Sequence, residues 1–169
     1  PHPDRAPDPG TVGYVGNLTD RIDWRLVRSV VDECSDLRFI FAGSLDEGET
    51  DGEKSEWRKH RTAAFQQPNV EHLGRIPQDD VTELYWNCAV NWIPYDTEHS
   101  FNRAACPTKI MDGIASGRPV VSTSVPECTL YPQWITIADG PDELVQFLRR
   151  KAEKPSSHSP RQQIRFARG

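Results

Sequence analysis

The sequence predicts an α/β fold: a doubly wound, Rossmann-like parallel sheet with helices on both faces. Three observations carry this. Residues 11–44 read as strand, helix, strand within about thirty residues, the length of a βαβ unit. Leu37 to Ala42 form a nearly continuous apolar run, as in a strand buried on both faces. The strand–helix alternation then resumes at residue 70 and continues through the helix that begins at Pro141.

Each element follows from local pattern. "TVGYVGNL" at 11–18 reads as a strand ending at Gly16. In "DWRLVRSVVDEC", Val27, Val30, Val31 and Cys34 recur at i, i+3, i+4 and i+7, one buried helical stripe. "LRFIFAGS" is the second strand. Residues 45–69 are polar and charged, which predicts a mobile loop through Lys54, a short helix over Trp57–Phe65 and a turn at Pro68-Asn69. The acids there lack the alternation of a calcium loop. "VEHLG" at 70–74 is a strand. "PQDDVTELYWNC" is a helix with Pro77 near its first turn and Val81, Leu84, Tyr85 and Cys88 on one face. "AVNWIPY" at 89–95 is a strand that Pro94 must end or push to an edge. "DTEHSFNRAAC" reads as a loop, with His99 an exposed loop histidine rather than a base. After it comes "CPTKIMDGIASGRPVVST", a helix from Pro107 stopped by Gly117, then the strand "PVVST". A turn at Pro126, a strand "ITIA" at 135–138 and a helix from Pro141 with Leu144, Phe147 and Leu148 complete the order.

The domain is predicted to span 11–154. "PHPDRAPDPG" at 1–10 lacks a basic region followed by an apolar core and reads as a linker, and 155–169 as a polar tail where a helix is starting. The 169 residues suffice for one domain, and no apolar run is long enough to span a membrane. The net charge of −5 argues against nucleic-acid binding through a broad basic face. Cys34, Cys88, Cys106 and Cys128 form no C-x-x-C pair. They read as reduced thiols of a cytoplasmic protein, Cys34 and Cys88 on helices, with no metal expected.

On a helical wheel Ile110, Met111, Ile114 and Ala115 share one arc; Thr108, Lys109, Asp112, Gly113 and Ser116 share the other. The spacing fits a nucleotide: diphosphate at the helix start beside Thr108 and Lys109, and a ribose diol one turn on at Asp112. It fits equally well a solvated polar face with an i, i+3 Lys–Asp pair.

With these motifs in order, the chain resembles the C-terminal domain of bacterial group-4 glycosyltransferases of the GT-B fold. The likeness covers "GYVGNLTDRIDWRLVRSVVDECSDLRFIFAGS", "NVEHLGRIPQDDVTELYWNCAVNWIPY" and "CPTKIMDGIASGRPVVST". It implies one half of a two-domain enzyme. This half would bind a nucleoside-diphosphate sugar, without metal or cofactor, for transfer to a polysaccharide or glycolipid acceptor. An N-terminal domain of the same polypeptide would hold the acceptor and any general base. "IRFARG" would begin the crossover to that domain, and the full-length enzyme would sit in the cytoplasm, with peripheral association at the inner membrane face left open. By position, the resemblance places Gly16 and Asn17 near the donor phosphates, the backbone of Arg75 and Ile76 at the base, and Asn102, Arg103 and the residues to Ala105 beside sugar and phosphates. Thr108 and Lys109 would hold the diphosphate and Asp112 the ribose. Two departures stand out. Ala104 replaces the family's first glutamate. The basic pair that follows the glycine loop is absent, leaving Arg21 and Arg103 to compensate. A subgroup with NP-x-K at the helix start is closer, with Cys106 in place of its Asn. A nucleotide-sugar epimerase and a non-enzymatic binding or assembly module remain alternatives. A dehydrogenase is disfavoured, since "GYVGNL" lacks G-x-G-x-x-G.

Overall fold

The computed structural model describes residues 6–45, 56–104, 108–153 and 160–167. The expectations placed on the loop through Lys54, on Ala105, Cys106 and Pro107, and on residues 1–5 of the linker lie outside the described residues.

Six parallel strands form one sheet: β1 (Asp8–Val15), β2 (Arg38–Ala42), β3 (Val70–Gly74), β4 (Cys88–Ile93), β5 (Val120–Ser122) and β6 (Ile135–Ile137). Their order is β3-β2-β1-β4-β5-β6, with every pair parallel. The winding reverses between β1 and β4, so the loops after those two strands diverge and leave a crevice at their carboxyl ends. α1 (Trp24–Glu33) and α7 (Pro141–Glu153) pack together on one face, with α2 (Glu56–Phe65) beside α1. α3 (Gln78–Asn87) and α5 (Lys109–Ala115) pack together, with α8 (Pro160–Ala167) against α5. Two short helices, α4 (Ser100–Ala104) and α6 (Pro126–Thr129), complete the set.

α1 shows why sequence gives structure here. Asp23 caps it, its side chain accepting a hydrogen bond from Leu26 N at 3.0 Å, worth about 1 kcal/mol. Leu26, Val27, Val30 and Val31 are buried, each contributing about 1.5–3 kcal/mol. β4 is buried at all six positions and ends where Pro94 removes the next donor. It lies in mid-sheet, so Pro94 terminates the strand rather than making it an edge.

Several boundaries differ from the sequence reading. β1 starts at Asp8, so three residues of the expected linker belong to the sheet, with Asp8 in register with Cys88. Cys88 opens β4 and Cys34 caps α1, so neither lies within a helix. The loop after β4 contains α4, and the turn at Pro126 is the helix α6. Gly113 and Ser116 are buried rather than part of an exposed polar arc. A Cβ on Gly113 would stand 3.3 Å from Val120. The segment read as a polar tail carries α8, whose Gln163 is buried and donates to Arg118 O at 3.2 Å. Its Phe166 ring packs against those of Tyr131 and Trp134.

Candidate functional site

The crevice at the carboxyl ends of β1 and β4 is a cleft of about 620 Å³. Its floor is the β1–α1 loop, with Val15, Gly16, Asn17, Thr19 and Arg21. One wall is α3, through Gln78, Val81 and Tyr85. The other is Tyr95 with Thr108, Lys109 and Asp112 at the start of α5. Six of the ten residues expected from the sequence meet here: Gly16, Asn17, Arg21, Thr108, Lys109 and Asp112. Arg75, Ile76, Asn102 and Arg103 do not line the cleft.

Lys109 is the centre of the arrangement. Its ammonium donates to Tyr95 Oη at 2.5 Å and to Tyr14 Oη at 3.2 Å, and lies 4.8 Å from the centroid of each ring. This corrects the Lys–Asp pair offered by the spacing: the lysine's partners are two phenols. Tyr14 in turn donates to Asn17 O at 3.2 Å. An ammonium has three donors; two are bound and one remains for the cleft. Burial pushes the Lys109 pKa down, Arg21 adds to the effect, and Tyr95 opposes it. Burial likewise holds the Tyr14 phenol well above its ordinary range, so it stays neutral. Residue 16, beneath the lysine, is glycine. A Cβ there would lie 2.5 Å from Lys109 Nζ, and Gly16 has φ 141°, a conformation that side chains resist.

The loops below are stitched together by backbone. Gly16 N donates to Ala42 O at 2.9 Å, Leu18 N to Ser44 O at 3.0 Å and Gly43 N to Gly74 O at 2.8 Å. Asp112, on the outer turn of α5, is exposed. Partial burial raises its pKa and the nearby Lys109 lowers it. Tyr85, buried behind Asp112, has its phenol raised by burial first and by Asp112 second.

The remaining expected residues have other partners. Asn102 is buried and bound to Arg21 and Asp96. Arg103 points its guanidinium at Glu98, 2.5 Å away. Arg75 and Ile76 follow β3, and the cleft takes Gln78 and Val81 of α3 instead. His99 is half-buried rather than exposed: its Nδ1 accepts from Phe101 N at 3.3 Å, while Nε2 lies 3.4 Å from Asp20. Tyr14 and Tyr95 were not singled out from the sequence, and Tyr85 was placed only on the apolar face of its helix. The one signal for Tyr14 is its alternation with Val12 along one strand face. Among the described residues no three His, Cys, Asp or Glu side chains gather as a metal cage requires, and no helix is long and apolar enough to cross a membrane.

A family model matches most of the chain, and similar proteins of known structure share its fold. The model described as glycosyl transferases group 1 matches residues 9–151. A Bacillus subtilis (strain 168) protein, TuaH, named as a candidate teichuronic acid biosynthesis glycosyltransferase, is 25% identical over 115 residues, covering 68% of this chain and 27% of its own length. Among solved structures, Anabaena HepE in complex with UDP and glucose aligns over 94% of this chain and 43% of its own, with 17% identity and a TM-score of 0.67. The C-terminal domain of LpcC, a group 1 family protein from Francisella tularensis, aligns over 94% of this chain and 86% of its own, with 13% identity and a TM-score of 0.56. The chain thus spans about a quarter of the curated relative and less than half of HepE.

Proposed function

The chain belongs to the group 1 glycosyl transferases, and on that premise we propose that it is the donor-binding half of an enzyme that moves a sugar from a nucleoside diphosphate to an acceptor. The observation that carries this is Lys109, held by Tyr14 and Tyr95 over Gly16 in the crevice between β1 and β4. A partly desolvated cation with a donor to spare is built to meet an anion. A diphosphate arriving there would relieve the penalty that burial places on the ammonium, and the partly buried pair would attract more strongly than in bulk water.

Transfer breaks the bond between the sugar's anomeric carbon and a phosphate oxygen, and negative charge builds on that oxygen. Stabilising it is usually a large part of such catalysis. Lys109 and Arg21 would supply positive charge, and the Gly16 turn, lacking a side chain, lets the phosphates approach the backbone. Asp112, exposed at the rim one turn along α5, would accept hydrogen bonds from the ribose diol. The acceptor hydroxyl and the group that takes its proton are assigned to a second domain. HepE, with the same fold, is described in complex with UDP and glucose and with UDP-glucose, which supports a uridine nucleotide as the first probe. The family match favours sugar transfer over the epimerase alternative.

Calorimetric titration tests the reading. UDP is expected to bind saturably, with GDP run in parallel. Asp112→Ala is expected to weaken UDP by about fivefold while leaving inorganic pyrophosphate unchanged, the loss of one or two hydrogen bonds. No saturable binding by either nucleotide would leave the non-enzymatic module as the better description. Equal losses for UDP and pyrophosphate would remove Asp112 from the ribose.

A further inference from the structure

α4 holds a feature that the donor-site reading does not use. Asn102 is 2% exposed, and its amide is fully engaged with protein. Oδ1 accepts from Arg21 Nε at 2.9 Å, while Nδ2 donates to Arg21 O at 2.8 Å and to Asp96 O at 2.9 Å. One side chain therefore grips both the backbone and the guanidinium of Arg21, 81 residues away in sequence. The neighbouring Phe101 is 58% exposed, and its ring centroid lies 4.2 Å from the Arg21 guanidinium carbon; the Tyr95 ring lies at 5.0 Å. Exposing this much phenyl ring gains nothing from burial, but it gives the guanidinium a flat surface to stack on. The backbones beneath are joined as well: Asp96 N donates to Arg21 O at 3.0 Å, and Ile22 bridges Tyr95. With Nε bound and two rings within 5.0 Å of the guanidinium carbon, the two terminal amino groups of Arg21 have no partner among the described residues. Arg21 lines the cleft.

We propose that Phe101 and Asn102 are positioning residues that fix the Arg21 fork in the cleft for the donor phosphates, neither of them touching the ligand. This rests on the donor-site reading above. A surface arginine ordinarily loses rotamer freedom when a ligand orders it; here the ordering is built in before the ligand arrives, which favours bidentate contact with phosphate oxygens. One immobilised guanidinium would then do part of the work of the basic pair that is absent after the glycine loop.

The experiment titrates UDP and uridine into the full chain and its Phe101→Ala, Asn102→Ala, Arg21→Ala and Phe101→Ala/Arg21→Ala variants, and follows the Arg21 Nε–H resonance by NMR. Phe101 is exposed, so its variant folds even if the Asn102 variant does not. Expected are a loss of about five- to tenfold in UDP affinity for Phe101→Ala and Asn102→Ala, unchanged uridine affinity, and no further loss when Phe101→Ala is added to Arg21→Ala. The Nε–H signal, sharp and protected in the parent chain, broadens in both single variants. Binding of UDP that Phe101→Ala leaves intact, or weakens equally with Arg21 absent, overturns the proposal alone. A parent chain that binds no UDP overturns the donor-site reading and this proposal with it.

Discussion

Lys109 occupies a place where its charge works against the fold. Its ammonium is largely withdrawn from water between two phenols, and its pKa falls below the ordinary 10.5, with burial the largest cause. The sign for stability follows. Between the lowered folded value and the unfolded one, the unfolded chain binds more protons, so stability rises with pH across that window. Below it, the cost of the buried cation is fully present. Lys109→Met removes the cost while keeping most of the packing, though it leaves Tyr95 Oη without this partner. The variant is expected to be as stable as the parent, or more stable by up to about 1 kcal/mol, when unfolded by urea at neutral pH. It should also lose the rise in stability on approach to the lysine range. Its UDP affinity is expected to fall at least about tenfold, as removal of a charge-assisted contact implies. In the parent chain, UDP affinity should itself decline as pH rises through the lowered Lys109 pKa, and the Met variant should show no such decline. A Lys109→Met chain that unfolds at much lower urea would make the lysine structural, and one that binds UDP normally would take it out of the site.

Between elements, the decisive contact joins two turns. Gly43, after β2, has φ 152°, and a Cβ on it would lie 1.9 Å from Gly16 O. The obstacle is backbone, so no rotamer change relieves it. Gly43→Ala is expected to cost about 3 kcal/mol or more and to displace the Gly16 turn, so that stability and UDP binding fall together. Gly74→Ala is the control. Its φ of 67° is strained for alanine but the space around it is open, so a loss of about 1 kcal/mol without a matching loss of affinity is expected in paired urea and calorimetric measurements. The same contrast explains what could be read in advance. The α1 stripe was legible because its period reports one buried face, and β2 because a continuous apolar run reports burial on both. Cys88 was misplaced because the i+4 spacing from Leu84 continues across the α3–β4 junction, where helix passes into strand with no intervening loop. α4 was missed because five residues carry no period, and the Asn102 side chain takes its partners from Arg21 and Asp96, outside the helix. Gly16, Lys109 and Asp112 were found, but not the tyrosines that hold the lysine. Tyr14 lies 95 residues from it, in a strand where any buried aromatic would look the same.

At the scale of the molecule, the cleft contains what a leaving diphosphate needs and little that an acceptor needs. Lys109, Arg21 and the Gly16 turn face the proposed phosphates, and Asp112 is assigned to the ribose. Glycosyl transfer also requires an acceptor hydroxyl held in line with the anomeric carbon, and a group to accept its proton. His99, beside the cleft's arginine loop, is occupied by the Phe101 amide and faces Asp20. Its ring is tied to the end of α4 rather than free to serve an acceptor. The chain also spans less than half of HepE, while it matches nearly the full length of an isolated C-terminal domain. Binding and transfer should therefore separate in this 169-residue chain. It is expected to bind UDP and UDP-glucose with similar affinity, because the diphosphate and ribose contacts are common to both, and to release no glucose to acceptor or water above the uncatalysed rate. The measurement is UDP production from UDP-glucose followed over hours at saturating donor, beside the same assay on a longer polypeptide that includes an acceptor-side domain. Turnover by the 169-residue chain alone would place a complete catalytic apparatus within these strands and helices, and the assignment of the acceptor and its base to another domain would then be wrong.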